Sequence, residues 1–197
     1  MSALTVQHEP TGGDGWDDLV RLWEETDGPE GCKVEIIEGI VTVAPPPANH
    51  HNFIAAKVHR CLLAAIPENW EIFQTLNVAV PSRSGLYIPD VVVVPEDLVL
   101  EDDGNFISAA AAELAVEITS KSNASHDRIA KAAGYAQAGI PLYLLIDAHA
   151  PGGATITLYG EPSNAVYRVL QAGKFGETFH LPAPFDLKLD TSVFPTP

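Results

Sequence analysis

The sequence predicts an α/β fold in one domain: a mixed central sheet flanked by helices, with a β-rich C-terminal part. Three observations predict it. Residues 91–94, 114–119 and 142–146 are near-continuous apolar runs, as in strands buried on both faces. A helical pattern separates the last two, so strand, helix and strand follow in the order of a βαβ unit, and part of the sheet is expected to be parallel. Beyond Pro151-Gly152-Gly153 the pattern turns to short runs that read as hairpins.

Residues 1–15 read as a flexible N-terminal arm and 16–197 as a single domain; the first ten residues lack the basic start and apolar block of a signal peptide. A first helix follows from residue 16 to about 25, with Trp16, Leu19, Val20 and Trp23 on one stripe and Asp14 or Asp17 as cap. Residues 32–37 and 40–43 form a hairpin turned at Glu38-Gly39. Pro45-Pro46-Pro47 cannot continue a central strand. Asn49 is placed to cap a second helix reaching about residue 66, with Phe53, Ile54, Val58, Cys61, Leu62 and Ala65 on its apolar face. Residues 70–80 alternate as one strand, and 81–85 turn. The acidic, Ala-rich interval 96–113 reads as a loop with a short helical turn. Ser125 caps a third helix to about residue 138, closed by Gly139 and Pro141. After residue 151, segments 155–159 and 165–170 pair, and 178–181 and 185–189 are short strands.

A chain of 197 residues, 46% apolar and 19% charged, can bury a substantial core and does not have the composition of a disordered chain. No run of about 18 apolar residues suggests a membrane span. Cys32 and Cys61 suggest neither a disulfide framework nor a zinc box, and the expected compartment is the reducing cytoplasm. The net charge of −15, from 11 Lys+Arg against 26 Asp+Glu, weighs against simple nucleic-acid binding, which needs a basic footprint. No basic cluster is visible in the sequence.

Asp90 opens one buried run and Glu117 lies within the next. Read alone, Asp90 is a turn or cap aspartate and Glu117 an edge residue facing solvent. The apolar runs weaken the second reading: Leu114, Val116 and Ile118 point one way, and Ala115, Glu117 and Thr119 the other. Two buried carboxylates followed by a lysine suit a hard metal with a charge stabiliser. Asp127, Lys131 and Tyr135 lie along one helix face, where a surface Asp127–Lys131 pair backed by Tyr135 is the competing reading. His50 and His51 begin the second helix, where histidines are most often solvated or capping.

Asp90, Glu117, the series Asp127-x-x-x-Lys131-x-x-x-Tyr135, Gly139-Ile140-Pro141 and Tyr143 to Asp147 resemble the Uma-type family of bacterial putative restriction endonucleases, which has the PD-(D/E)xK nuclease-like fold. The likeness extends to Glu35 and its neighbours, Ala44-Pro45-Pro46 and His51, and spans roughly residues 19–189. It implies a restriction-endonuclease-like fold and an Mg²⁺-dependent DNA endonuclease, with Mn²⁺ as an alternative metal. It implies Asp90, Glu117 and the backbone carbonyl of Ile118 as metal ligands, and Glu35 as an acid near the same cleft. The chain departs from the motif at Thr119, where a lysine belongs. The resemblance implies that Lys131 reaches in from the helix instead; Lys121 is nearer in sequence but sits in a Ser/Asn-rich loop.

The expected catalytic residues are therefore Asp90, Glu117 and Lys131, supported by Glu35, His51, Asp127 and Tyr135. DNA is the expected partner and a homodimer the expected assembly. The alternative is a non-catalytic binding or scaffold protein that keeps the nuclease-like fold; Thr119 and the net charge favour it. A small-molecule hydrolase has no motif here, since Gly-x-Ser-x-Gly and the P-loop are absent.

Overall fold

The structure, a computed structural model, describes residues 15–196 except 102 and 122, and the backbone of residues 4–6. The expected N-terminal arm, residues 1–15, otherwise lies outside the described residues apart from Gly15. In chain order the elements are β1 (Leu4–Val6), α1 (Gly15–Glu24), β2 (Lys33–Ile37), β3 (Ile40–Ala44), α2 (Asn49–Leu63), β4 (Trp70–Phe73), β5 (Val78–Val80), β6 (Gly85–Tyr87), β7 (Val91–Pro95), α3 (Glu96–Leu100), β8 (Ile107–Ser108) and β9 (Leu114–Ile118). They continue as α4 (Ala132–Ala138), led in by a π-helical segment (His126–Lys131), then β10 (Leu142–Asp147), β11 (Thr155–Ser163), β12 (Val166–Lys174), β13 (Thr178–Leu181) and β14 (Leu187–Asp190).

The fold is mixed α/β. Among the described residues the strands form two six-stranded sheets, β1-β3-β2-β6-β5-β8 and β12-β11-β10-β9-β7-β4, and a β13–β14 ribbon. The three apolar runs are neighbours in the second sheet, β7 antiparallel to β9 and β9 parallel to β10. The parallel pair is the βαβ unit, with α4 as its crossover. The C-terminal hairpins form, with β11 and β12 running on to Ser163 and Lys174 and β14 starting at Leu187 rather than at residue 185.

Strand alternation sorts the core into layers. Leu114, Val116 and Val93 face α2 and the ribbon, meeting Ile54, Val58 and Leu62. Full burial of each such side chain contributes about 1.5–3 kcal/mol. On the opposite face Val92, Ala115 and Tyr143 meet Val78 and Tyr87 of the first sheet and Tyr135 of α4. Beyond that sheet, α1 lays Leu19 on Ile36, Val41 and Leu86. Gly134 permits the close approach of α4, since a Cβ there would stand 2.6 Å from the Tyr87 ring. All five tyrosines join in one run of ring contacts, from Tyr87 through Tyr135 and Tyr143 to Tyr159 and Tyr167.

Three expectations are corrected. Residues 70–80 are two strands in different sheets, because β4 pairs with β7 whereas β5 pairs with β6 and β8. Asn49 is the first residue of α2 rather than its cap; Ala48 occupies the cap position and offers no side-chain bond. Ser125 makes no capping bond either, and the helix it was to start opens as a π segment. Gly139 does close it, in the left-handed conformation at φ +83°.

Candidate functional site

The strand register builds the centre of the site. Asp90 stands just before β7, and its main-chain N–H bonds the Val116 carbonyl at 3.1 Å. Its side chain then extends the ladder by one rung, with Oδ2 accepting the Ile118 N–H at 2.8 Å. Two further groups hold this carboxylate. His51, in the first turn of α2, donates from Nε2 to Oδ2 at 2.9 Å. Lys33, at the start of β2, places Nζ 2.5 Å from Oδ1 and 3.0 Å from the Ile88 carbonyl. Burial opposes ionisation of Asp90, but the Lys33 ammonium and His51 outweigh it and hold the carboxyl well below the usual range.

Glu117 projects from β9 toward α4, on the face predicted by alternation. Its Oε1 accepts Tyr135 OH at 2.6 Å and Lys131 Nζ at 3.0 Å. Lys131 Nζ also lies 2.8 Å from Glu35 Oε1, which takes the Ile88 N–H at 2.7 Å. Asp127 Oδ1 is 3.7 Å from the same ammonium, and neither of its oxygens has a hydrogen-bond partner among the described residues. Burial raises the Glu117 pKa to about 7, helped by Asp90 and opposed by Lys131. Burial and the Glu117 carboxylate push Asp127 well above the usual range. Burial works against charge on Lys131, yet Glu117, Glu35 and Asp127 outweigh it and raise its pKa.

The reading of Asp127 and Lys131 as an exposed pair is overturned. Both are buried, at 0% and 1% exposure, whereas Ile129 between them is 70% exposed. The helix is amphipathic with its charged side inward. Its π segment carries these two residues, and such bulges recur where a helix must re-aim side chains at a site. Lys121 lies instead on the wall of an outer cavity. Thr119, at the vacant lysine position, donates to Asp147 Oδ1 at 2.8 Å.

Lys33 was not foreseen as a site residue. The signal was available: Lys33 and Glu35 are two apart on a strand, so both point to the face where Glu35 was expected. A basic cluster was also missed, because its members come from three distant segments. A cavity of about 350 Å³ beside Asp90 is walled by His50, His51, Ile118, Thr119, Lys121 and His149, among others. Lys121 and His149 also line an adjoining cleft with Arg128.

Among the described residues, no group of three or more His, Cys, Asp or Glu side chains is arranged to hold a metal ion. The donors present nevertheless suit a hard cation. Asp90 and Glu117 offer oxygen from neighbouring strands, and Mg²⁺ is commonly held by one or two carboxylates with waters completing its shell. Among the described residues, Glu35, Asp90, Glu117 and Asp127 share the ammonium groups of Lys33 and Lys131, with His51 as a further partner of Asp90; fully ionised, the four acids would carry more negative charge than the two ammonium groups balance. Burial first, and the neighbouring carboxylates after it, raise the pKa of Glu117 and Asp127. A cation at Asp90 Oδ1 requires Lys33 to withdraw.

The family model Uma2, described as "Putative restriction endonuclease", matches residues 16–193. Among solved structures, the chain is similar to a putative nuclease belonging to DUF820 from Anabaena variabilis ATCC 29413. That match has 18% sequence identity and a TM-score of 0.64, and covers 87% of this chain and 90% of that one. No curated protein matches the chain.

Proposed function

The chain belongs to the Uma2 family of putative restriction endonucleases, and from that premise we propose a metal-dependent endonuclease of the PD-(D/E)xK type that hydrolyses phosphodiester bonds in DNA. The observation that carries it is the meeting of Asp90 and Glu117, from adjacent strands, with a buried Lys131 3.0 Å from Glu117. Asp90, Glu117 and the Ile118 carbonyl would hold Mg²⁺ or Mn²⁺. A cation so held stabilises charge on the phosphate and acidifies a bound water. Lys131 fixes Glu117 and Glu35 and supplies the positive charge that Thr119 cannot. His51 and the Ile118 N–H orient Asp90, and Tyr135 orients Glu117. A homodimer would set two such sites for two-strand cutting. The free thiols of Cys32 and Cys61 agree with a reducing cytoplasm.

The test is a melting curve with and without Mn²⁺ or Mg²⁺, followed by nicking of supercoiled DNA. Metal should raise the melting temperature by mass action, and Asp90→Asn should abolish both the rise and the nicking. No rise at millimolar metal would remove the support for catalysis.

One observation favours a non-catalytic binding protein: the Lys33 ammonium already sits on Asp90 Oδ1. Lys33→Met separates the readings. If Lys33 is a displaceable counter-ion, the variant should bind Mn²⁺ about tenfold more tightly, since each factor of ten needs only about 1.4 kcal/mol. If the ion pair is permanent structure, the variant should lose stability and gain no response to metal.

Among the described residues no helix is long and apolar enough to cross a membrane.

A further inference from the structure

The cavity beside Asp90 is not used by the reaction outlined above, yet its inner wall is made by the groups that hold Asp90. His51 and Ile118 both line it, and both donate to Asp90 Oδ2. A phosphodiester drawn to Asp90 would therefore carry one of its nucleosides to the mouth of this cavity. The rest of the lining divides by chemistry. Ala48, Ile54, Ala148 and Pro195 supply apolar surface, and His50, His149 and Lys121 supply rings and a cation. Small-molecule sites occupy about 300–1,000 Å³, with apolar walls and a few convergent polar groups. At about 350 Å³ this cavity stands at the lower end of that range, the size for one nucleoside rather than a base pair.

We propose that the cavity receives an unpaired nucleoside adjoining the bond to be cut, so that the preferred substrate is single-stranded or locally unpaired nucleic acid. The proposal rests on the nuclease reading. Imidazole rings stack on exposed bases, and stacking of this kind tolerates any sequence because every base has a π face. Lys121 and His149 also line the adjoining cleft, so the flanking phosphates meet a cation and an imidazole on a strongly acidic chain. A base inside a duplex cannot enter such a pocket without the loss of its pairing and stacking, which costs a few kcal/mol and is least for an already unpaired base.

The experiment compares a short single strand bearing one 2-aminopurine with the same strand in a duplex, by fluorescence titration in Ca²⁺ buffer. The full chain and Ala148→Phe, which adds a ring at the cavity wall, are titrated side by side. The expected result is tighter binding of the single strand by about tenfold or more, a loss of about tenfold in Ala148→Phe, and an unchanged duplex affinity. His149→Ala should weaken the single strand in the same direction and guards against misfolding of the filled variant. Equal or tighter duplex binding overturns the pocket, as does a single-strand affinity indifferent to both substitutions. If duplex is nicked normally under those outcomes, the nuclease reading stands and only the pocket is lost. If neither strand binds and neither is cut, both fall.

Discussion

Asp127 and Asp147 are buried to a similar degree, yet the fold treats them in opposite ways. Asp147, ending β10, accepts from Thr119 Oγ1, twice from the Arg128 guanidinium, and from the His149 N–H. Burial opposes its charge, but these donors hold its pKa below the usual value. Asp127, in the π segment, accepts nothing among the described residues and shares one lysine with two other carboxylates. The first centre is a satisfied ion pair that ties Arg128 to the end of β10. The second holds negative charge that its own cations do not balance. Polar burial is common to both; imbalance marks the centre suited to bind something else.

The strongest way to break this comparison is to remove one cation from each centre. Lys131→Met leaves Glu35, Glu117 and Asp127 without their shared ammonium. It should cost about 3–5 kcal/mol, the usual result of stranding buried charge. Any DNA cleavage by the folded fraction should fall by on the order of 10² or more. Arg128→Met leaves Asp147 with Thr119 and His149 as donors, and Arg128 is partly exposed. That change should cost about 1 kcal/mol and leave cleavage within a few-fold of wild type. Urea unfolding and nicking rates measure both. If Arg128→Met is the more damaging to nicking, the assignment of the two centres is reversed.

The contrast also explains what the sequence could reveal. β7, β9 and β10 were legible because a strand buried on both faces must be apolar throughout. Asp90 and Glu117 were legible as the exceptions to that rule. Alternation gave the face of Glu117 correctly. The inward charge of α4 was not legible from local spacing, which reads Asp127 and Lys131 as an exposed pair, whereas the structure buries both and exposes Ile129. A π segment leaves no propensity signature to warn of it. The His50–Lys121–His149 rim was hidden for a different reason: its members lie tens of residues apart, and tertiary packing alone brings them together. The split of residues 70–80 between two sheets has the same origin, since alternation is blind to which partner a strand takes.

A smaller effect should come from Glu117→Gln in metal-free buffer. The folded pKa of Glu117 is raised to about 7 from an ordinary 4.5. The folded chain therefore keeps a proton that the unfolded chain releases. This contribution to stability is fully present below about pH 4.5 and is lost as pH rises through about 7. Asp90, with a lowered pKa, acts the other way, but only at more acid pH. Between pH 5 and 8 in EDTA, wild-type stability should thus decline, and Glu117→Gln should flatten part of that decline. At pH 8 the variant should be the more stable by on the order of 1–3 kcal/mol, read from urea midpoints. A variant less stable than wild type at pH 8 would mean that Lys131 fully compensates Glu117, and that the charge imbalance is absent.

The smallest effect is expected at Asp127 itself. Its carboxyl is fully buried, its oxygens have no hydrogen-bond partner among the described residues, and the Lys131 ammonium stands 3.7 Å away. Burial and the Glu117 carboxylate hold its pKa well above the usual range, which favours the neutral acid. Asparagine has nearly the shape of that neutral acid. Asp127→Asn should therefore change stability at pH 7 by under about 1 kcal/mol, as for exchange of one neutral polar group for another. Asp147→Asn is the control. It replaces an ionised acceptor of four hydrogen bonds with a group that must turn a donor toward Arg128 or Thr119, and it should cost about 2–4 kcal/mol. If Asp127→Asn costs as much as Asp147→Asn, then Asp127 is ionised and paired with Lys131 in the native fold. The lysine would then be occupied on three sides, and its charge would serve the architecture of α4 before it served a substrate.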